Sequence, residues 1–277
     1  MSLAWRLLEE QMSLGPRFVG CPGHRAMHGW LDAQLTGCER RDHRFEDVFF
    51  GASVECRNFV ARFEGDKPGR LMLGTHYDTR PYADCDPDPE QHSRPVPGAN
   101  DGASGTAVLL ALREWLEGER NRPTVDLAFF DAEDWHGIDG KQVALGSRRW
   151  VAEHPDSELP DALVLFDMIG ARGQRIQFDL SIHEHAPSVA LSRWVHGTAL
   201  ALGLDSFAGE TPGIIVQDDH TPFLERGVPC CVLIDMDYAP WHTRGDVIEA
   251  CCPGALDEMG RLARELLVKI ALTTGSR

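Results

Sequence analysis

A length of 277 residues permits one large α/β domain or two small ones, and a hydrophobic fraction of 43% is ordinary for a globular protein. The formal net charge of −16 argues against nucleic acid or an anionic membrane as partner and is compatible with a cationic ligand such as a peptide amino terminus. No tract approaches the roughly 20 apolar residues of a membrane span, so a membrane-spanning protein is not expected.

The eight cysteines include adjacent pairs at 230–231 and 251–252 but no CxxC spacing. We therefore expect reduced structural thiols rather than a disulfide scaffold or a structural zinc site. Residues 1–11 form an amphipathic helical pattern rather than a signal peptide, and the compartment, periplasmic, secreted or cytoplasmic, stays open.

The chain begins with two predicted helices and a predicted hairpin. Residues 4–15 and 24–37 carry apolar residues at helical spacing and end in glycine. Residues 43–50 and 54–65 alternate like strands, and the glycine–alanine pair at 51–52 indicates a turn between them. These two strands therefore predict an antiparallel hairpin.

A strand–helix rhythm follows a long loop. The apolar run 69–76 is typical of a buried strand, whereas residues 77–101, with five prolines, indicate a loop. The further predicted helices are 102–118, 146–154, 187–202, 218–227 and 253–275, and the further predicted strands are 124–130, 161–170 and 228–234. Strands that alternate with helices predict an α/β fold with a mainly parallel sheet covered on both faces. Without a repeat or a linker, residues 1–277 are expected to form one domain.

Acidic residues are crowded at the end of the predicted strand 125–130. Asp131, Glu133 and Asp134 follow this strand directly. Unpaired carboxylates repel one another and resist burial, so such a cluster indicates a bound cation or a catalytic role. The alternative is a solvated loop that happens to be acidic.

Other predicted strands also end in potential ligands. Because ligands of open α/β sheets bind at the carboxyl ends of strands, these residues are expected to meet at one edge. The strand-end and loop candidates are His76, Asp78, Asp101, Glu133, Asp134, Asp167 and His242. Each also has a structural interpretation, such as a helix N-cap for Asp101 or a turn for Asp167. Their convergence from five segments favours a metal site, and imidazole with carboxylate suits zinc.

Longer segments add a family resemblance. The segments GTHYDT, GANDGASGTAVLLALR, AFFDAED, GSRRW, LVLFDMIGA, QDDHTPFLERGVP and WHT resemble the zinc aminopeptidase and glutaminyl cyclase family. DTRPYAD, QDDHTPFLERGVP and WHT point to its glutaminyl cyclase (glutaminyl-peptide cyclotransferase) branch. The match runs from about residue 15 to the final helix. It implies a zinc aminopeptidase-like fold with a mixed central sheet.

The resemblance implies one catalytic zinc ion and its ligands. Asp101, Asp134 and His242 match the three zinc-binding residues, which leaves a fourth position for substrate or water. Glu133 matches the general acid/base of the family.

The resemblance also implies the substrate contacts. Asp167 and Asp218 match carboxylates that hydrogen-bond one another and hold the substrate amide. Trp241 matches an aromatic wall of the pocket, and Gln217 matches a backbone contact to the substrate.

The chain departs from animal glutaminyl cyclases at three positions. Val232 stands where they carry a histidine, so part of their hydrogen-bond network is missing or rebuilt. Asp237 stands where they carry an aromatic residue, with Tyr238 as a candidate substitute. Thr75 offers no counterpart to their paired cysteines.

Two enzymatic functions fit these residues. A glutaminyl cyclase would convert amino-terminal glutamine to pyroglutamate with one zinc ion and release ammonia. A di-zinc aminopeptidase would bind its second ion through His76 and Asp167, with Asp101 bridging and Glu133 activating water. An inert binding module is disfavoured because Glu133 and all three zinc-binding residues are intact. Peptide or protein amino termini are the expected substrates, and the sequence specifies neither the physiological peptide nor the oligomeric state.

Overall fold

The computed structural model describes residues 2–209 and 212–272. Its helices are α1 (Leu3–Ser13), α2 (Pro22–Gln34), α3 (Ala103–Ala111), α4 (Arg113–Gly118), α5 (Leu145–Glu153), α6 (Ala186–Ala201), α7 (Thr221–Glu225) and α8 (Pro253–Lys269). Its strands are β1 (Glu39–Arg40), β2 (His43–Phe49), β3 (Ala52–Phe63), β4 (Lys67–His76), β5 (Pro123–Phe130), β6 (Ala162–Phe166) and β7 (Cys230–Leu233). Short 3-10 turns lie at Pro89–Gln91, Asp156–Glu158, Asp205–Phe207 and Ile248–Ala250.

The strands form one mixed sheet. Its order is β1-β3-β5-β4-β6-β7, and β2 pairs with β3. Strands β5, β4, β6 and β7 are parallel, whereas β3 runs antiparallel to β5 and to both β1 and β2. The expected α/β class with a mixed sheet is confirmed, and its parallel part comprises β5, β4, β6 and β7.

Helices cover both faces of the sheet. Alternate residues of β4 point to opposite faces, so Leu71 and Leu73 join one buried cluster and Met72 joins the other. The first cluster packs against α1, α3 and α8, and the second receives Trp150 of α5 and Phe223 of α7. Within the described ranges, no helix combines the length and apolar character needed to cross a bilayer.

Most predicted elements are present with small shifts in their ends. The predicted hairpin is confirmed, but its turn residues are Phe50 and Gly51, with φ of 52° and 76°. Positive φ at both turn positions matches the right-handed twist of the paired strands. The helix predicted over 102–118 is interrupted at Leu112, and the last helix ends at Lys269 rather than in the segment 273–275, which lies outside the described residues.

Candidate active site

The parallel strands bring the predicted residues to one edge of the sheet. Strand β4 ends at His76, Glu133 and Asp134 follow β5, and Asp167 follows β6 directly. Because β5, β4 and β6 are neighbours with the same direction, their carboxyl ends lie side by side. The loop after β7 adds His242 to this edge.

Backbone strain is concentrated at the same edge. Ala132, Met168 and His242 adopt left-handed backbone conformations, with φ of 56°, 47° and 53°. Each such non-glycine residue costs roughly 1–3 kcal/mol and persists only where its surroundings enforce it. The strained residues stand beside Glu133 and Asp167 or belong to the site, so the turns that direct these side chains are held by the fold.

Asp101, Asp134 and His242 form the first group of potential metal ligands, here called the cavity cluster. One ligand atom from each lies within 4.8 Å of the others. His242 Nε2 lies 3.1 Å from Asp134 Oδ1 and 3.8 Å from Asp101 Oδ2. Asp134 Oδ2 is buried without a hydrogen-bond partner in the part of the chain that the structure describes. A buried carboxylate oxygen without a donor is suited to a cation.

His76, Asp101 and Asp167 form a second group, here called the inner cluster. His76 Nε2 lies 3.0 Å from Asp101 Oδ1 and 3.1 Å from Asp167 Oδ1. Its side chain is 1% exposed. Asp101 belongs to both clusters, so it stands where a bridging ligand of a two-metal site would stand.

Two further buried aspartates hold the backbone of the cavity cluster. Asp78 accepts hydrogen bonds from the backbone N–H groups of Glu133 and Asp134 at 3.0 and 3.3 Å. Asp246 accepts from Asp101 N at 3.2 Å. Glycine is required at position 102, next to Asp101, because the φ of Gly102 is +93° and a Cβ there would stand 2.3 Å from the carbonyl oxygen of Asp78. Asp78 was among the predicted site residues, whereas Asp246 was not.

A cavity of about 380 Å³ opens at this edge. The predicted site residues on its wall are Asp101, Glu133, Asp134, Asp167, Gln217, Asp218, Trp241 and His242. His76 is described by the structure but does not line this cavity. A larger cavity of about 600 Å³ lies between α1, α3, α4 and α8. No three-residue group of potential metal ligands found among the described residues lies on its wall.

Arg80 and Asp84 flank the cavity cluster and were not predicted as site residues. Arg80 pairs with Asp84 at 2.6 and 2.7 Å, and its Nη1 lies 3.5 Å from Asp134 Oδ1. Asp84 Oδ1 lies 3.7 Å from His242 Nδ1. On the other side, the Trp241 ring stacks on His242 with centroids 3.9 Å apart. The DTRPYAD segment was the available signal for Arg80 and Asp84.

The cavity also has an apolar wall that the sequence analysis did not predict. Its members include Met168, Ile215, Val216, Ile234 and Met236. Ile234 comes directly after β7 and Met168 is the second residue after β6, so the same strand-end rule could have found them. Ile215 is 81% exposed and lies in a loop that no periodic pattern predicts.

The structure shows where the residues lie at which the chain was expected to depart from animal glutaminyl cyclases. Val232 is buried in β7 as part of the second hydrophobic cluster. Tyr238 is also buried, and its hydroxyl donates to Asp246 at 2.7 Å rather than lining the cavity. Asp237 is exposed. Tyr238 does not line the cavity and therefore does not substitute for the aromatic residue that is absent at Asp237.

Burial and mutual repulsion shift the carboxyl groups of the cavity. Burial, followed by the charge of Asp218, raises the pKa of Glu133 well above its usual range. Burial, followed by the charge of Asp167, raises the pKa of Asp218 to about 7. Perturbed carboxyl groups in a cleft are typical of acid–base chemistry.

The expected hydrogen bond between Asp167 and Asp218 does not occur among the described residues. Asp167 instead contacts His76, and Asp218 Oδ1 accepts from Asp219 N at 2.5 Å. Asp218 Oδ2 is buried without a partner in the described ranges. Each carboxyl group therefore keeps one oxygen that a ligand in the cavity could engage.

A mainly parallel sheet with imidazole and carboxylate groups around a cavity at its carboxyl edge places the protein in the zinc-exopeptidase class of α/β folds. The chain belongs to peptidase family M28, whose sequence model matches residues 58–267.

Relatives support the glutaminyl cyclase branch of this resemblance. A glutaminyl-peptide cyclotransferase-like protein from Bos taurus is 26% identical over 290 residues, which cover 91% of this chain and 72% of the relative. The glutaminyl cyclase of Porphyromonas gingivalis has a similar structure, with a TM-score of 0.87, 31% identity and coverage of 97% of this chain and 98% of that chain. A Zn-dependent exopeptidase from Parabacteroides distasonis has a TM-score of 0.87 and 26% identity, with 97% of each chain covered. The resemblance to the cyclase branch is confirmed.

Proposed function

We propose that this protein is a zinc-dependent glutaminyl-peptide cyclotransferase that acts through one domain spanning residues 1–277. It converts an amino-terminal glutamine of a peptide to pyroglutamate and releases ammonia. The observation that carries the proposal is the cavity wall, on which the cavity cluster, Glu133, Asp167, Asp218 and Trp241 all meet while His76 does not. The cyclase relatives support the same reaction.

The donor set fits zinc. Asp101, Asp134 and His242 would supply two carboxylates and one imidazole, and because all three residues line the cavity, substrate or water could complete the coordination. Burial, followed by the charge of Asp101, raises the pKa of Asp134. This repulsion and the unpartnered Asp134 Oδ2 both favour a cation here. When bound, zinc supplies Lewis-acid polarisation of the substrate carbonyl.

Glu133 moves the proton in this proposal. The substrate α-amine attacks the carbonyl carbon of the glutamine side chain, a C–N bond forms, and the original C–N bond of the amide breaks. Glu133 takes a proton from the attacking amine and delivers it to the departing ammonia. Burial and the charge of Asp218 raise its pKa, so the carboxyl group holds the proton more tightly between the two halves of this transfer.

The remaining cavity residues orient the substrate. Asp218, with a pKa of about 7, can donate or accept a hydrogen bond, and its Oδ2 is available to the substrate amide. Asp167 lies across the same cavity. Trp241, stacked on His242, forms a flat wall for the glutamine side chain, and the backbone of Gln217 supplies a further contact. These contacts hold the amine and the amide in attack geometry.

A di-zinc aminopeptidase is the second candidate function. The specific observation in its favour is the inner cluster, which keeps His76, Asp101 and Asp167 within ligand distance of one another. The structural similarity to a Zn-dependent exopeptidase agrees with it. In this function, Glu133 would activate water rather than the substrate amine.

Product analysis distinguishes the two functions. Zinc-loaded protein is incubated with a glutaminyl peptide, its N-acetylated form and a leucyl peptide of the same remaining sequence. A cyclase releases ammonia from the first peptide only, because acetylation removes the nucleophilic amine. Free leucine from the leucyl peptide, without ammonia from the glutaminyl peptide, would establish the aminopeptidase instead.

A further inference from the structure

Behind the cavity, Asp131 is the centre of a buried hydrogen-bond network that the proposed reaction does not use. Its side chain is 0% exposed. His24 Nε2 lies 2.9 and 3.0 Å from its two oxygens, and His28 Nε2 lies 3.3 Å from Oδ2. Both histidines belong to α2, where a spacing of four residues puts them on one face of the helix.

The carboxylate of Asp131 also accepts hydrogen bonds from backbone N–H groups. Asp131 Oδ1 accepts from Ala132 N at 2.9 Å, and Oδ2 accepts from Arg57 N at 2.8 Å. Ala132 is one of the left-handed residues, with φ of 56°, and it directly precedes Glu133. The turn that aims Glu133 and Asp134 at the cavity therefore starts from a residue whose N–H group is held by Asp131.

Tyr77 connects this network to two more strands. Its hydroxyl lies 2.8 Å from His28 Nε2 and donates to the carbonyl oxygen of Arg57 in β3 at 2.9 Å. Tyr77 itself follows the last residue of β4. Helix α2 thus contacts β3 and the ends of β4 and β5 through one set of polar side chains.

A metal site is the competing interpretation, because His24, His28 and Asp131 lie within ligand distance of one another. The hydrogen bonds oppose it. Asp131 already receives two backbone N–H groups and two imidazoles, and none of the three side chains lines the cavity. Burial lowers the pKa of His24, but the charge and the hydrogen bond of Asp131, together with the charge of Asp78, outweigh burial and raise the pKa, so an ion pair satisfies the carboxylate without a metal.

We propose that Asp131, His24 and His28 form a positioning network that keeps Ala132 left-handed and so fixes Glu133 and Asp134 for zinc binding and proton transfer. The inference rests on the proposed function for its kinetic part only. Residues that orient metal ligands from behind typically affect metal affinity or activity by about 10–100-fold.

The test compares Asp131→Asn with a matched control on the same strand. Asp126 is also a buried carboxylate of β5, and it pairs with Arg62 at 2.7 and 2.8 Å outside the cavity wall. Asp126→Asn therefore removes a buried charge pair without touching the turn at Ala132. The readouts are the rate of zinc release to a chelator, kcat and KM for a glutaminyl peptide, and thermal stability.

We expect Asp131→Asn to release zinc about 10–100-fold faster and to lose kcat by a similar factor, with KM changed less than kcat. Asp126→Asn should lower stability while it keeps the zinc release rate and kcat of the unsubstituted protein. If Asp131→Asn does not fold, His24→Gln and His24→Phe replace it. Glutamine can still donate to Asp131 and should retain zinc, whereas phenylalanine cannot and should release it faster.

Equal zinc release and equal kcat in the Asp131 and Asp126 variants would overturn the positioning network, as would equal zinc release from both His24 variants. Zinc release does not depend on the reaction catalysed. If the unsubstituted protein releases no ammonia from glutaminyl peptides, the proposed function fails, and the zinc-release comparison still decides the network.

Discussion

The cavity cluster and the inner cluster use the same kinds of side chain and share Asp101, yet they differ in access and in hydrogen bonding. In the cavity cluster, His242 and Asp134 line the cavity, and Asp134 Oδ2 lacks a partner in the described part of the chain. In the inner cluster, His76 is buried and lies at hydrogen-bond distance from both Asp101 and Asp167.

The difference shows that residue identity alone does not define a metal site. The imidazole of the inner cluster, His76, lies at hydrogen-bond distance from both of its carboxylates and does not line the cavity, whereas His242 lines the cavity and Asp134 Oδ2 has no hydrogen-bond partner among the described residues. A ligand set that is unsatisfied and open suits a catalytic ion with an exchangeable position. We therefore expect one zinc ion at the cavity cluster, and the following substitutions test that difference.

The largest effect is expected from Asp134→Ala. This substitution removes a ligand of the cavity cluster but little core packing, so the protein should fold, fail to retain zinc after dialysis and lose all detectable turnover. Zinc content and circular dichroism check the two parts separately. A folded variant that keeps one zinc ion per chain would contradict the assignment of Asp134.

Glu133→Gln should retain zinc and lose turnover. The amide keeps the shape of the side chain but cannot shuttle a proton, and general acid–base catalysis is worth about 10²–10⁴ in rate. Steady-state kinetics and metal analysis of the same preparation measure the effect. Turnover within a few-fold of the unsubstituted enzyme would mean that another group is the base.

The substitution Asp167→Asn tests whether the inner cluster binds zinc. If this cluster does not hold zinc, the variant keeps the zinc stoichiometry and loses only a substrate hydrogen bond. A hydrogen bond to a charged group is worth roughly 1.5–3 kcal/mol, so kcat/KM should fall by about 10–100-fold. Loss of a zinc ion relative to the unsubstituted protein would instead support the two-metal site.

The smallest effect concerns the stability of the zinc-free protein. Folding raises the pKa of Asp218 from 3.8 to about 7, so the folded state holds this proton more tightly than the unfolded state. The stability from this proton is full below about pH 4 and is lost as pH rises to about 7. Asp218→Asn should therefore increase Tm more at pH 8 than at pH 5. An equal increase at both values would show that Asp218 does not titrate in this window.

The sequence predicted the sheet and the convergence of His, Asp and Glu side chains at its carboxyl edge, because both follow from where apolar runs end. The choice of Asp101, Asp134 and His242 among those candidates came from the family resemblance. A strand that stops at His76 or Phe166 must place the next polar residue at the carboxyl edge of a parallel sheet. The family segments then added Asp218 and Trp241, which periodicity alone does not single out.

The sequence could not predict the details that separate the two clusters. Nothing in the residue types shows that His76 is turned away from the cavity or that Tyr238 is buried against Asp246. The sequence does not predict the left-handed backbone at Ala132 and Met168 either, because this conformation at a non-glycine residue persists only where the surrounding structure enforces it.

A zinc titration of metal-free protein, with ammonia release from a glutaminyl peptide and leucine release from a leucyl peptide measured at each point, tests the central claim most directly. We predict that ammonia release rises to a maximum at one zinc ion per chain and that leucine release stays at background throughout. Leucine release that appears with a second bound zinc ion, without ammonia release at any stoichiometry, would contradict the account.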